Sequence, residues 1–177
     1  MIDAYLMHEK ERNAQGIPAL PLNADQAKDL CQLLQKPPKG KEQFLLNLLK
    51  ERISPGVDPA AKVKAEFLAG VIEGKVKSPL VEAKAAIQIL STMIGGYNVA
   101  PLVNALKDKK LADEAAKAFE RALAGLTRLD PAGAAHLAPL EELEPLRAIG
   151  RDEPADLQAR ERQEPRQRRG DDPRVHP

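Results

Sequence analysis

Tryptophan is absent from this chain of 177 residues, cysteine occurs once, and the other aromatic residues are three Phe and two Tyr. The single Cys31 cannot form an internal disulfide, and its position among leucines in a helical pattern predicts a small core thiol rather than a reactive one. With so few aromatic side chains, the core must consist mainly of Leu, Ala, Val and Ile, which suits helices packed closely across small residues. The sequence therefore predicts an all-α fold.

Long apolar runs are also missing. No stretch approaches the ~18 apolar residues of a membrane span, and the first residues lack the basic segment and apolar run of a secretion signal. The formal net charge of +1 is too balanced to favour a nucleic-acid or membrane surface. We therefore expect a cytoplasmic protein with no membrane partner.

Proline, glycine and capping residues divide the first 124 residues into segments with helical periodicity. Asn23, Asp58, Ser78 and Asn98 are predicted N-caps, and the prolines after Asp58 and Ser78 fit first helical positions because their missing N–H would be unpaired there. The predicted helices cover residues 3–14, 24–36, 42–53, 59–73, 79–94, 99–106 and 111–123.

These predicted helices group into pairs. The pairs begin near residues 25, 59 and 99, at spacings of 34 and 40 residues, which are typical of helical-hairpin repeats. In the third helix, the core face is predicted to contain Phe44, Leu45, Leu48 and Leu49. Because such repeats bury their apolar faces only against neighbours, we expect an α-α superhelix that docks on another domain or protein.

Ten short sequence motifs between residues 37 and 118 are similar to those of one known protein family. They are Pro37-Pro38-Lys39-Gly40, Phe44-Leu45-Leu46, Pro55-Gly56-Val57-Asp58, Val63-Lys64-Ala65, Phe67-Leu68-Ala69, Ser78-Pro79-Leu80, Thr92-Met93, Gly95-Gly96-Tyr97-Asn98, Pro101-Leu102 and Ala115-Ala116-Lys117-Ala118. Together they resemble the N-terminal HEAT-like domain of bacterial aconitate hydratase B (aconitase B), from about Met1 to Ala124. The resemblance implies a HEAT-like helical domain over residues 1–124.

The resemblance also implies a role within a larger enzyme. In that family the domain is implicated in protein–protein association, including homodimerisation, and in forming a channel to the active site. The parent enzyme is a lyase of the tricarboxylic acid cycle that interconverts citrate and isocitrate through cis-aconitate, with 2-methylisocitrate as a further substrate. The implied partners are the remaining aconitase B domains or a second copy.

The parent family's catalytic machinery lies downstream of this domain. It uses a 4Fe–4S cluster held by three cysteine thiolates, and this chain has one Cys. We therefore expect no cofactor in this chain and no independent aconitase activity. The alternative from another functional class is an independent helical adaptor whose Arg/Pro-rich tail recruits a partner; an adjacent reading frame encoding the cluster-binding domains would favour the aconitase interpretation.

One loop has the position of a phosphate-binding loop, because Gly95-Gly96-Tyr97-Asn98 precedes a predicted helix N-terminus. We favour a helix C-cap at the glycines followed by the Asn98 N-cap. Tyr97 between two helices is then an anchoring aromatic rather than a catalytic acid.

Other polar residues offer no recognisable site. The histidines are too scattered for a local metal-binding motif, and the first is expected to be solvated: His8, His136 and His176. A short acidic run lacks the fixed geometry of paired catalytic carboxylates: Glu141, Glu142 and Glu144. The basic cluster at residues 166–169 is followed by two Asp and has no interleaved aromatic, so nucleic-acid binding is not expected. We predict no catalytic, cofactor-binding or metal-ligating residue.

Composition changes abruptly near Gly125. All 15 Lys precede that point, whereas 9 of the 12 Arg and 7 of the 15 Pro follow it, in a segment without any aromatic residue. Residues 125–177 have too few apolar side chains to offset their ordering entropy, so we expect a disordered tail. A shifted reading frame or an early stop in a GC-rich gene is our leading explanation, with an evolved tail as the alternative; translating the other two frames distinguishes them.

Overall fold

The structure, a computed structural model, describes the backbone of residues 1–129 and the side chains of residues 1–125. This part of the chain forms seven α-helices and no β-strand. The helices are α1 (Ile2–Ala14), α2 (Ala24–Gln35), α3 (Glu42–Glu51), α4 (Pro59–Ile72), α5 (Ala83–Leu90), α6 (Val99–Ala105) and α7 (Ala112–Leu129). The predicted all-α fold is confirmed.

From α2 onward, the helices pack as consecutive pairs. α2 contacts α3, α4 contacts α5, and α6 contacts α7, while contacts of α2 with α4, α5 with α7 and α4 with α6 join each pair to the next. One core of Leu, Ala and Ile side chains, with few aromatic residues, runs through these layers. This is how helices of low aromatic content bury their apolar faces, each pair against its neighbours.

The first helix is attached mainly through Tyr5, its buried residue. Arg52 Nε, just after α3, donates a hydrogen bond to Tyr5 Oη at 2.7 Å. The Arg52 guanidinium also donates to the Ala19 carbonyl, and the Arg52 carbonyl accepts from the Leu22 amide at 2.7 Å. One arginine therefore joins α1, the connection to α2 and the end of α3.

Two of the predicted N-caps are confirmed. Asn23 Oδ1 accepts from the Gln26 amide at 2.9 Å, and the Gln26 side chain accepts from the Asn23 amide at 3.0 Å, forming a capping box at α2. Asp58 Oδ1 accepts from the amides of Ala60 and Ala61 at 3.0 and 3.1 Å, and Pro59 occupies the first turn of α4 as predicted.

The predicted start of the fifth helix is wrong. The helix begins at Ala83, with Glu82 as its N-cap residue, instead of at Pro79. Ser78 does not cap it, because its Oγ donates to the Leu34 carbonyl at the end of α2 (2.6 Å) and accepts from the Leu80 amide (3.3 Å). The hydroxyl thus ties the loop to α2, and helical hydrogen bonding begins at Glu82, whose carbonyl accepts from the Ala86 amide at 2.8 Å.

The last described helix passes the predicted domain boundary. α7 continues to Leu129, five residues beyond Ala124. The rest of the tail predicted for residues 125–177 lies outside the described residues. Within residues 1–129, no helix combines the length and the apolar character that crossing a membrane requires.

Candidate functional site

The described part of the chain contains a cleft of about 620 Å³ bordered by α3, α4, α5 and α7. The residues that border it on α4 and α7 include Lys64 and Arg121, and α3 contributes its final residues, Lys50 and Glu51. The cleft lies where α4 packs against α5 and α5 packs against α7. Polar and charged side chains predominate on its walls, which distinguishes it from the apolar core.

Lys64 is the unusual residue of the cleft, because only 1% of its surface is exposed. Its Nζ donates one long hydrogen bond, to the Lys50 carbonyl at 3.4 Å. Burial lowers the pKa of the Lys64 ammonium from 10.5 to about 8, while the negative charge of Glu51 opposes that shift. A buried lysine with one weak acceptor is costly unless something compensates for its lost hydration.

Several other polar groups at the cleft form hydrogen bonds with one another or with a backbone carbonyl. Arg121 Nη1 donates to Ser91 Oγ at 3.1 Å, and the Ser91 hydroxyl donates to the Gln88 carbonyl at 2.7 Å. Gln88 Nε2 donates to Glu114 Oε1 at 3.1 Å. No salt bridge within 4.0 Å joins the charged groups of this cleft in the described part of the chain.

The glycine-rich loop at residues 95–98 packs against the loop at residues 55–58. A Cβ on Gly95 would lie 1.9 Å from the Gly56 carbonyl oxygen, so only glycine allows this approach. Tyr97 Oη donates to the Val57 carbonyl at 3.1 Å. Tyr97 therefore anchors one loop to the other, in agreement with the structural interpretation of its sequence.

In this loop the predicted glycine C-cap is wrong, and Asn98 occupies the predicted N-cap position of α6 without the predicted side-chain bond. α5 ends at Leu90 with Ser91 as its C-cap, so Gly95 does not terminate that helix. Asn98 makes no side-chain cap bond to α6. Instead it is fully buried, and its Nδ2 donates to the carbonyls of Leu90 and Met93 at 3.0 and 2.9 Å. The amide nitrogen closes the turn that follows α5, while Oδ1, the atom that could accept a cap bond, is buried without a hydrogen-bond partner among the described residues.

Cys31 lies in α2 as a buried free thiol, where the sequence places a core residue. Burial raises the pKa of this thiol to about 12, so little thiolate forms at neutral pH. Within the part of the chain that the structure describes, no group of three His, Cys, Asp or Glu side chains is placed to hold a metal ion.

His8 differs from the solvated side chain predicted for it. It is half-buried, and its Nε2 accepts a hydrogen bond from the Leu20 amide at 3.1 Å, because the connection between α1 and α2 folds back over α1. The remaining candidate residues lie outside the described residues: His136, His176, Glu141, Glu142, Glu144, Arg166, Arg168 and Arg169.

Sequence reasoning did not identify the cleft. In the sequence, Lys64 belongs to the motif Val63-Lys64-Ala65. Its position between apolar residues of a largely apolar helix indicates a partly buried lysine. Arg121 carries no such signal, because its helix exposes many charged residues.

Comparison with known proteins gives consistent similarity across the same residues. The aconitate B N-terminal domain family matches residues 4–125. Over 123 residues, the chain is 52% identical to aconitate hydratase B of Escherichia coli strain K12 and 54% identical to that of Salmonella typhimurium strain LT2. Over the same length it is 48% identical to aconitate hydratase B of Pseudomonas aeruginosa.

These alignments cover 70% of this chain and 14% of each of these three relatives. The resemblance that the sequence motifs indicate, ending at about Ala124, is thereby confirmed. Since the matched residues make up most of the chain and coincide with its helical part, the chain belongs to the family of aconitate B N-terminal domains.

Proposed function

We propose that this chain is an accessory association domain of an aconitate hydratase B and is not catalytic alone. Its role is to dock on the remaining domains of the enzyme or on a second copy, and to form part of a channel toward the active site. The enzyme as a whole would interconvert citrate and isocitrate through cis-aconitate in the cytoplasm. The observation that carries the proposal is that the similarity covers 14% of each relative, within their N-terminal domain.

The paired helices support a docking role. Helix pairs of this kind bury apolar surface only against neighbours, so the outermost helices present surface suited to another domain. Near α1, Met7 and Leu20 are 64% and 53% exposed. The Leu20 amide bonds to His8, the residue after Met7, so both apolar side chains belong to the same end of the domain. This end is available for association.

The donor set does not fit the cluster of the parent enzyme. Iron–sulfur clusters of this kind are held by several cysteine thiolates, whereas the chain contains one cysteine. Cys31 is buried, and its pKa of about 12 keeps it protonated. The residues of this chain therefore supply no cluster site, and the cluster and its chemistry belong to other domains in this proposal.

The proposal is tested by anaerobic reconstitution of the purified chain with iron and sulfide, followed by assays of cluster absorbance and citrate turnover. We expect no turnover, and the same absorbance for the chain and its Cys31→Ala variant. The E. coli aconitate hydratase B, treated in parallel, shows that reconstitution works. Citrate turnover by the chain, lost in the Cys31→Ala variant, would contradict the proposal.

A further inference from the structure

We propose that the cleft between α3, α4, α5 and α7 binds a singly charged carboxylate group, with the Lys64 ammonium as the main donor and Arg121 as the second. This inference concerns a ligand site and does not depend on the proposed association role. It assigns a function to a buried charge that neither the core nor the helix caps explain.

The Lys64 ammonium has unused hydrogen-bonding capacity. An ammonium has three N–H donors, and here one long bond to the Lys50 carbonyl at 3.4 Å is formed. The residue lines the cleft although 1% of its surface is exposed. The lowered pKa, near 8, reflects the lost hydration and still leaves most of the side chain charged at pH 7. A carboxylate would restore a strong, charge-assisted bond.

Arg121 adds a second donor on the wall formed by α7. Its Nη1 bonds to the Ser91 hydroxyl, a neutral acceptor. A guanidinium has five N–H donors, so the described contacts leave several available to a ligand. Because α4 contributes Lys64 and α7 contributes Arg121 to the same cleft, a carboxylate that binds there enters a cavity lined by both cations.

The net charge of the residues that line the cleft favours a singly charged anion. The cleft is lined by three cations and two anions: Lys50, Lys64, Arg121, Glu51 and Glu114. A single carboxylate neutralises the resulting charge, whereas a dianionic phosphate exceeds it and meets the two carboxylates. The volume of about 620 Å³ accommodates a small molecule or an acidic side chain. Because water also enters a cleft of this size, we expect a Kd on the order of 1–10 mM for a single carboxylate.

The experiment is a lysine side-chain ¹H–¹³C NMR titration of the full chain with two probes. Propionate represents a free small carboxylate, and the capped peptide Ala-Glu-Ala represents an acidic side chain of a partner. We expect either probe to shift the Lys64 signal in a saturable manner and to raise its pKa by at least about 0.5. Binding of propionate identifies a site open to metabolite-sized ligands, and binding of the peptide alone identifies a partner side chain.

The first control is the signal of another lysine on α4, compared with its response to the same concentration of sodium chloride. Lys62 lies two residues away, with an exposed side chain near Glu66, and its signal should respond no more than it does to sodium chloride. Lys64→Met identifies the signal and should remove the response, while Arg121→Gln should weaken binding several-fold. No saturable Lys64 shift with either probe would overturn the proposal, as would binding of phosphate at least as tight as that of propionate.

Discussion

At the residue scale, the burial of Lys64 makes the free energy of folding depend on pH. Only 1% of its surface is exposed, and its pKa falls from 10.5 to about 8 mainly through desolvation. The folded protein releases this proton at lower pH than the unfolded chain. Below pH 8 both states hold the proton and the cost of burying the charge is fully present. As the pH rises from 8 toward 10.5, that cost disappears and the free energy of unfolding increases.

We therefore predict that Lys64 makes the protein more stable at alkaline pH. Relative to Lys64→Met, the wild type should gain about 2 kcal/mol of unfolding free energy between pH 7 and 9.5, a figure that follows from the two pKa values. Urea unfolding of both proteins at the two pH values measures the difference. Relative to Lys62→Met, which changes an exposed lysine on the same helix and keeps Lys64, the wild type should gain no unfolding free energy over this pH range.

Gly95 lies so close to the neighbouring loop that a larger residue there tests the contact between the two loops. A Cβ there would approach the Gly56 carbonyl oxygen to 1.9 Å and the Val57 nitrogen to 2.9 Å, and both are backbone atoms that cannot move away alone. Gly95→Ala should therefore separate the two loops and lower the unfolding free energy by about 1–3 kcal/mol or more.

Gly125→Ala is the matched control for that substitution. Gly125 lies in α7, where an added Cβ meets nothing closer than Ile94 at 3.6 Å. The greater helix propensity of alanine should stabilise the protein by up to about 1 kcal/mol. Equal effects of the two substitutions in thermal unfolding would mean that the contact between residues 55–58 and 95–98 does not form as described.

At the scale of elements, α3 shows how far a helical pattern determines packing. Leu45, Leu48 and Leu49 are buried as their spacing predicts, while Phe44 is half-buried and contacts Tyr5 at a ring distance of 6.3 Å. Leu45→Ala or Leu49→Ala should cost about 2–5 kcal/mol, because both side chains are fully buried. Leu46→Ala, on the half-buried side, should cost less in the same urea titration. Equal losses at all three positions would contradict this orientation of α3.

The helix starts were predictable where the capping side chain bonds to amides of the following turn, and failed where that side chain makes other hydrogen bonds. Asn23 and Asp58 bond to amides within three residues, so their neighbours determine the outcome. Ser78 instead bonds to Leu34, 44 residues away, and Asn98 closes the turn after α5. Sequence periodicity contains no information about these partners.

The candidate cleft was less predictable for the same reason. It requires α3, α4, α5 and α7 to converge, and no sequence spacing indicates that Lys64 and Arg121 border one cavity. The all-α fold and the core position of Cys31 followed from composition and pattern, because they depend on local burial. The contact by which Arg52 attaches α1 is likewise long-range, because Tyr5 lies 47 residues earlier in the sequence.

At the scale of the whole molecule, the described residues form consecutive helix pairs from α2 onward, and the chain matches 14% of the length of its relatives. The end near Met7 and Leu20 exposes apolar side chains. An accessory domain with these properties should have a measurable affinity for the rest of the enzyme, since domain interfaces within a chain resemble protein–protein interfaces. Catalysis and association are then separable properties, and only the second is expected of this chain.

The most direct test is sedimentation velocity of the chain mixed with E. coli aconitate hydratase B from which the residues aligned with this chain have been deleted. We predict a complex at micromolar concentration, whereas the intact E. coli enzyme, whose own N-terminal domain occupies the same position, should not bind the chain. Circular dichroism establishes that both components are folded. If the folded chain binds neither the shortened enzyme nor a second copy of itself across this range, the account of the chain as an association domain of an aconitate hydratase B is contradicted.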